Sequence, residues 1–89
     1  MSNENKGKQI VVVESGWVFL AEDVVDVEVG LYPTGCWKLL NASVIRSWGT
    51  TAGLGEIAIT GPTNETVLDY CGNPTVPKDK VLFHIPCTY

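Results

Sequence analysis

The stretch QIVVVESGWVFLA, residues 9–21, decides the fold. Residues 9–14 form a run rich in β-branched side chains, Ser15 and Gly16 predict a turn, and residues 17–21 are apolar on both faces of a strand. No long helical period elsewhere in the chain offers a cover for two such strands. The sequence therefore predicts that a second sheet or another subunit covers some of Val11, Val13, Trp17 and Phe19.

The rest of the chain also favours strands. Valine, isoleucine and threonine make up 25 of the 89 residues. Short runs of these residues recur at spacings of about 8–15 residues, separated by glycine and proline turns, which is typical of small all-β domains. We expect a mainly β fold: a small antiparallel barrel or sandwich of five to six short strands with at most one short helix.

Length and charge limit the function classes. A chain of 89 residues makes one domain, predicted here as a flexible arm over residues 1–7 and a single β domain over residues 8–89. The net charge of −4 makes non-specific nucleic-acid binding unfavourable. No apolar run is long enough to span a membrane, and the polar beginning does not resemble a signal peptide, so we expect no membrane association.

The segment from Gly49 to Pro62 differs from the rest because it holds four glycines. Leu54, Ile57 and Ala58 follow a helical spacing, which favours a short helix. Ile57 and Ile59 would also fit a short strand. We expect the helix.

The same glycine-rich region supplies the candidate site. Glycines leave backbone N–H groups uncovered, threonine hydroxyls donate and accept hydrogen bonds, and a guanidinium binds phosphate or carboxylate as a fork. Together these groups suit a small anion or a partner surface. The predicted ligand- or partner-binding residues are Arg46, Trp48, Thr50, Thr51, Gly53 and Gly55. The alternative is that the glycines only permit tight turns and that Arg46 pairs with Glu56 or Asp69.

Other polar residues carry no clear chemistry. His84 is the only histidine and lies in an apolar strand pattern, where a half-buried structural role is the usual one. The three cysteines lack CxxC spacing, which favours free thiols over a zinc site. Alternation of Asp26 and Glu28 with valines predicts a strand with one solvated, acidic face. We expect no catalytic residue, no metal and no cofactor.

Several blocks carry a resemblance to a known family. They run from Asn41 to Thr51, from Gly53 to Glu56 and from Gly61 to Thr63, and continue with Val67-Leu68-Asp69 and Gly72. This pattern resembles a family of small uncharacterised proteins of bacteriophages, prophages and other mobile elements, and the similarity covers residues 9–87. Ser47 and Ala52 stand where we expect basic residues in that family, so a strongly positive pocket is not expected. The resemblance implies a phage-type accessory protein and supplies no active site.

These observations lead to two functional hypotheses. The first is a non-enzymatic accessory protein that forms homo-oligomers in the cytoplasm of the bacterial host. It would bind a host protein or a small anionic ligand such as a nucleotide signal, with counter-defence as one use of that binding. The second is a structural component of the virion, such as a decoration or head–tail protein, in which the two-sided apolar strands form subunit contacts.

Overall fold

The computed structural model describes residues 7–28, 35–47, 49 and 53–89. Within them the chain forms eight strands and one helix, in the order β1 (Gln9–Val13), β2 (Trp17–Ala21), β3 (Asp23–Val27), β4 (Cys36–Leu40), β5 (Ala42–Ser47), α1 (Leu54–Thr60), β6 (Val67–Gly72), β7 (Thr75–Pro77) and β8 (Val81–Pro86). The mainly antiparallel β fold with one short helix is confirmed. The preference for a helix in the glycine-rich region is also confirmed, since α1 lies there.

The strands form two antiparallel sheets. The larger has the order β6-β5-β2-β1-β8 and the smaller the order β3-β4-β7. The first two strands pair as a hairpin with Val11 opposite Phe19, across the predicted turn, where Ser15 has a φ of 71°. Strand β1 thus lies beside β2 on one edge and β8 on the other, near the centre of the larger sheet.

The larger sheet lies between the smaller sheet and α1, so β1 is buried on both faces. One face of the larger sheet, the inner face, packs on the smaller sheet, where Val11 and Phe19 meet Val24 and Leu39. The opposite face, called here the helix face, packs on α1. Its core consists of Ile10, Val12, Leu20, Ile45, Ile57 and Ala58. All five residues of β1 are buried, as expected for a strand between two covers.

The second sheet accounts for most of the cover that the opening strands require. Val11, Val13 and Phe19 all lie in the core between the sheets. Trp17 stacks on Phe19 but remains 55% exposed. Within the described residues, the packing that the sequence assigned to a second sheet or another subunit is therefore supplied mainly by the second sheet.

The strand count exceeds the five or six expected because the chain changes sheets within runs that look continuous in sequence. Glu22 separates β2 in the larger sheet from β3 in the smaller one. Asn41, with a φ of 49°, separates β4 from β5 in the same way. A single residue in a turn conformation redirects the backbone, and nothing in the hydrophobic pattern marks such a point.

The predicted acidic face of β3 was partly wrong. Val24 is fully buried, and Asp26, two residues later, shares its face of the strand. Asp26 is only partly exposed and lies 3.2 Å from the ammonium nitrogen of Lys78. The Asp26 carboxylate thus lies on the buried side of β3, which is an outer strand of the smaller sheet. An inward-pointing charge on an outer strand opposes unwanted pairing with other strands.

Residues 1–6, which form most of the predicted arm, lie outside the described residues. The backbone N–H of Gly7 donates a hydrogen bond to Oδ1 of Asp23 over 2.8 Å. Gly7, the last residue of the predicted arm, therefore contacts the domain.

Candidate ligand-binding surface around Arg46

Arg46 lies near the exposed end of β5. Ala42 and Val44 lie on the inner face, where Ala42 is buried in the core between the sheets and Val44 packs against it. Arg46 follows at a register shift between β5 and β6, where the regular alternation of the strand is interrupted. The guanidinium lies beyond this cover, with 63% of the side chain exposed. The strand therefore presents the only arginine of the chain to solvent from a rigid element.

The guanidinium of Arg46 is paired across the neighbouring strand. Its Nη1 donates to Oδ2 of Asp69 on β6 over 2.5 Å. The Asp69 side chain is 55% exposed, so solvent screens both charges. Exposed ion pairs of this kind contribute about 0–1 kcal/mol. Of the two carboxylates considered from sequence, Asp69 is the partner that this geometry supplies.

Gly49 has a structural role in the described part of the chain. Its φ is +65°, and a Cβ atom there would lie 2.2 Å from the carbonyl carbon of Glu65. The hydroxyl of Thr63 donates to the Gly49 carbonyl oxygen over 2.7 Å, and the Thr63 N–H donates to Oγ1 of Thr66. The close backbone approach that a glycine permits here is therefore to the protein's own loop.

Gly53 and Gly55 belong to the beginning of α1. Gly53 precedes the helix with a φ of 72°, and no side chain caps the helix at this residue. Its carbonyl accepts the N–H of Ile57. Gly55 lies in the first turn with open space where a Cβ would be, so packing does not require a glycine there. The helix has seven residues, and Ile57 and Ala58 anchor it to the helix face.

The other predicted site residues, Trp48, Thr50 and Thr51, lie outside the described residues. Among the remaining three, the structure joins Arg46 to Asp69 on β6, whereas Gly53 immediately precedes α1 and Gly55 lies in its first turn. Of the predicted anion-binding site, the described residues therefore include the guanidinium at the end of β5 and the two glycines at the beginning of α1.

His84 has structural partners. Its Nδ1 lies 2.7 Å from Oε1 of Gln9, a buried residue. Its ring meets Trp37 of the smaller sheet edge-on, with centroids 5.1 Å apart. This arrangement connects the edge strand β8 to both sheets. The predicted structural role fits these contacts, but the predicted half-buried position was wrong, because His84 is exposed.

The cysteines are free thiols in the described structure. Burial raises the pKa of Cys71 and of Cys87, and for Cys87 the nearby Lys8 partly opposes this shift. Raised values disfavour the reactive thiolate. Across the described ranges, no three histidine, cysteine or acidic side chains gather as a metal site would require.

Sequence reasoning missed two exposed apolar surfaces. We call the first the turn-end patch: Trp17, Leu82 and Phe83, which are 50–61% exposed. They lie at one end of the larger sheet because Trp17 and Val81 both pair with Val13. The second is the β6 edge: Val67, Leu68 and Tyr70, also exposed. The sequence predicts β6 and β8 as strands, but it does not predict that they are the outer strands of the larger sheet.

Comparison with protein-family models, with curated proteins and with solved structures finds no match for this chain. The resemblance to phage and prophage proteins therefore stays a prediction. In the part of the chain that the structure describes, no helix has the length and apolar character needed to cross a membrane.

Proposed function

We propose that this chain is a non-catalytic accessory protein of phage type that forms homo-oligomers and captures a small anionic ligand of the nucleotide class at Arg46. The observation that carries the proposal is the exposed Arg46 guanidinium, which is held at a strand end by an equally exposed carboxylate. A guanidinium gives two parallel hydrogen bonds to a phosphate, which makes it a strong anion ligand on a protein surface.

The pairing with Asp69 supports a site that is ready for exchange. Because the pair is exposed, replacing Asp69 with a phosphate costs about 0–1 kcal/mol. A phosphate with a charge near −2 competes well against a single carboxylate. Asp69 therefore acts as a weak competitor for the ligand in this proposal.

The proposed use of the site is sequestration in the cytoplasm of the bacterial host. A protein that removes a signal needs affinity and abundance but no bond-breaking chemistry. The free thiols with raised pKa and the structural contacts of His84 are consistent with that role. Counter-defence is the biological setting in which such capture would be useful to a phage.

Calorimetry and thermal shift against cyclic and linear nucleotides test this function. We expect saturable binding that falls roughly tenfold or more in Arg46→Ala, since a charge-assisted hydrogen bond is worth about 1.5–3 kcal/mol. Glu28→Ala removes an exposed charge elsewhere and should leave the affinity unchanged. Asp69→Ala removes the competitor and should raise the affinity about two- to five-fold. A purely structural role for the ion pair would not produce opposite effects in its two members.

Failure to bind any nucleotide, in the wild type and in Asp69→Ala alike, would overturn the proposal.

The second candidate function, a virion component, is favoured by the turn-end patch. At that end of the sheet Trp17 lies on the inner face with Val13, and Phe83 lies on the helix face with Val12, so each face has an exposed aromatic side chain. Aromatic residues, and tryptophan above all, are enriched in protein contacts. Detection of the protein in purified particles, with loss of incorporation in Trp17→Ser, would support that alternative.

A further inference from the structure

Within the described ranges, the outer side of the β6 edge has backbone groups without a hydrogen-bond partner, beside its exposed side chains. The N–H of Cys87 donates to the carbonyl of Lys8 over 2.9 Å, next to the β1–β8 ladder. A strand residue directs its N–H and C=O to one side, and its neighbours direct theirs to the other. The direction of each residue's N–H and C=O can be counted from this bond through the pairings of β1 with β2, β2 with β5 and β5 with β6. The count directs the backbone N–H and C=O of Asp69 toward β5. Leu68 and Tyr70 then direct theirs away from the sheet.

The side chains of β6 divide between the two faces. Leu68 lies opposite Ile45 and Tyr70 opposite Ser43, so both lie on the helix face. There α1 packs over the half of the sheet that holds β1 and β8. The side chains of Leu68 and Tyr70 are 37% and 69% exposed. The opposite face of this segment carries the charge pair already described.

We infer that β6 is the surface by which two copies of this chain associate, as an antiparallel, two-fold pair centred on Asp69. In that register Leu68 of each copy lies opposite Tyr70 of the other, and each such pair exchanges both of its N–H···O bonds. The pairing joins the two larger sheets into one continuous sheet. A two-fold contact is closed, because it uses the β6 edge of each copy once, and so it would not lead to open-ended assembly through this edge.

Charge supports this occupant. Each chain carries a net charge of −4, so two copies repel unless the contact is locally neutral. The centre of the proposed contact brings Asp69 against its own copy, and like charges opposite one another are unfavourable. Arg46 lies 2.5 Å from that carboxylate and neutralises it in each copy. In the ligand-free dimer, the contact would therefore hold two cations and two anions around the two-fold axis.

The other edge of the sheet suits pairing less well. In β8 the same alternation directs the groups of His84 and Pro86 outward, and proline has no N–H to donate. The register of β8 also shifts near Leu82, where an extra residue interrupts the ladder. Prolines and bulges are devices that protect an edge from pairing. The β5–β6 ladder also shifts register, on either side of the segment from Leu68 to Tyr70, but within that segment the pairing with residues 43–45 is continuous. Of the two outer strands, β6 therefore offers two outward N–H donors, at Leu68 and Tyr70, with no shift between them.

Light scattering on the full chain tests the inference, which rests on the homo-oligomer part of the proposed function. We expect twice the monomer mass of 9.7 kDa. Leu68→Lys and Tyr70→Lys should each reduce it to the monomer mass, because an edge lysine opposes pairing. Leu82→Lys is the matched control on β8 and should leave the dimer intact. A monomeric wild type, or a dimer that survives both β6 variants, would overturn the inference.

A cross-link tests the register without relying on disruption. In a Cys71→Ser background, chains with Leu68→Cys are mixed with chains carrying Tyr70→Cys. Cα atoms of a hydrogen-bonded antiparallel pair lie about 5.5 Å apart, within the range of a disulfide. We expect an oxidised heterodimer in the mixture and none with either variant alone. Cross-linking within a single variant would contradict this register. Nucleotide binding by a monomer would contradict the dimer but leave the ligand proposal standing.

Discussion

Strand β1 and the two outer strands of its sheet contain similar apolar residues, but these residues are buried in β1 and exposed in the outer strands. All five residues of β1 are buried, because the smaller sheet covers one face and α1 the other. In β6 and β8, leucine, phenylalanine and tyrosine side chains remain largely exposed. The comparison teaches that apolar character alone does not define the core of this protein. Position in the sheet decides whether a β-forming side chain stabilises the fold or is free to meet a partner.

The largest change in the free energy of unfolding should come from shortening a buried side chain of β1. Ile10 is fully buried on β1, so Ile10→Ala should lower the free energy of unfolding by about 2–5 kcal/mol. Leu82→Ala on β8 removes an exposed side chain and should change it by less than about 0.5 kcal/mol. Urea denaturation at one protein concentration measures both. A large loss in Leu82→Ala would mean that the β8 edge is covered in solution.

A smaller effect should separate two glycines of the candidate region. Gly49→Ala forces an alanine to a φ of +65° against the backbone of Glu65, and should destabilise the fold by at least about 1 kcal/mol. Gly55→Ala fills open space in the first turn of α1, where alanine should stabilise by about 0.5–1 kcal/mol. Thermal unfolding of the two variants measures the difference. Equal effects would show that Gly49 is not constrained by its own loop.

The smallest effect concerns Tyr89, at the rim of the domain. Burial raises the pKa of its hydroxyl to about 12, with smaller contributions from Cys87 and Glu22. The phenol ionises more readily in the unfolded chain, so stability is retained below pH 10 and falls as the pH rises from about 10 to 12. The ring lies under the Lys8 ammonium, 4.3 Å from its centroid, and beside Gly61.

An ultraviolet titration of phenolate absorbance checks this pKa. The difference between the wild type and Tyr89→Phe isolates the contribution of this residue. We expect its midpoint near pH 12, and a midpoint near 10 would show that the ring is not held in the folded domain.

Much of the fold could be predicted from the sequence because its signals are local. The β-branched runs, the turn at Ser15 and the helical spacing around Ile57 each depend on a few neighbouring residues. The points where the chain changes sheets could not be predicted. Glu22 carries no turn signal, and Asn41, although asparagine favours turns, does not by itself show that the next strand belongs to another sheet. For the same reason the sequence assigned a solvated face to Asp26, which instead lies on the face of Val24 and contacts Lys78.

The candidate site was predictable only in part. The sequence identified Arg46 as a candidate anion ligand. It named Asp69 as one of two possible partners only in the alternative without a binding site, and the structure pairs these two residues. It did not identify the β6 edge, because strand order depends on contacts between residues far apart in the chain. Gly49 was expected to approach a ligand closely, but in the structure the close approach is to residues 63–66.

By itself, the sequence determined that this chain forms antiparallel strands, that its opening strands need cover on both faces, and that it carries a single arginine in a glycine-rich region. These follow from residue type and short spacing. Only the tertiary structure decided that a second sheet and α1 provide the cover, and that β6 and β8 are the outer strands. Those outcomes arise because burial is shared among distant segments, so the same apolar residue is core at the centre of the sheet and surface at its edge.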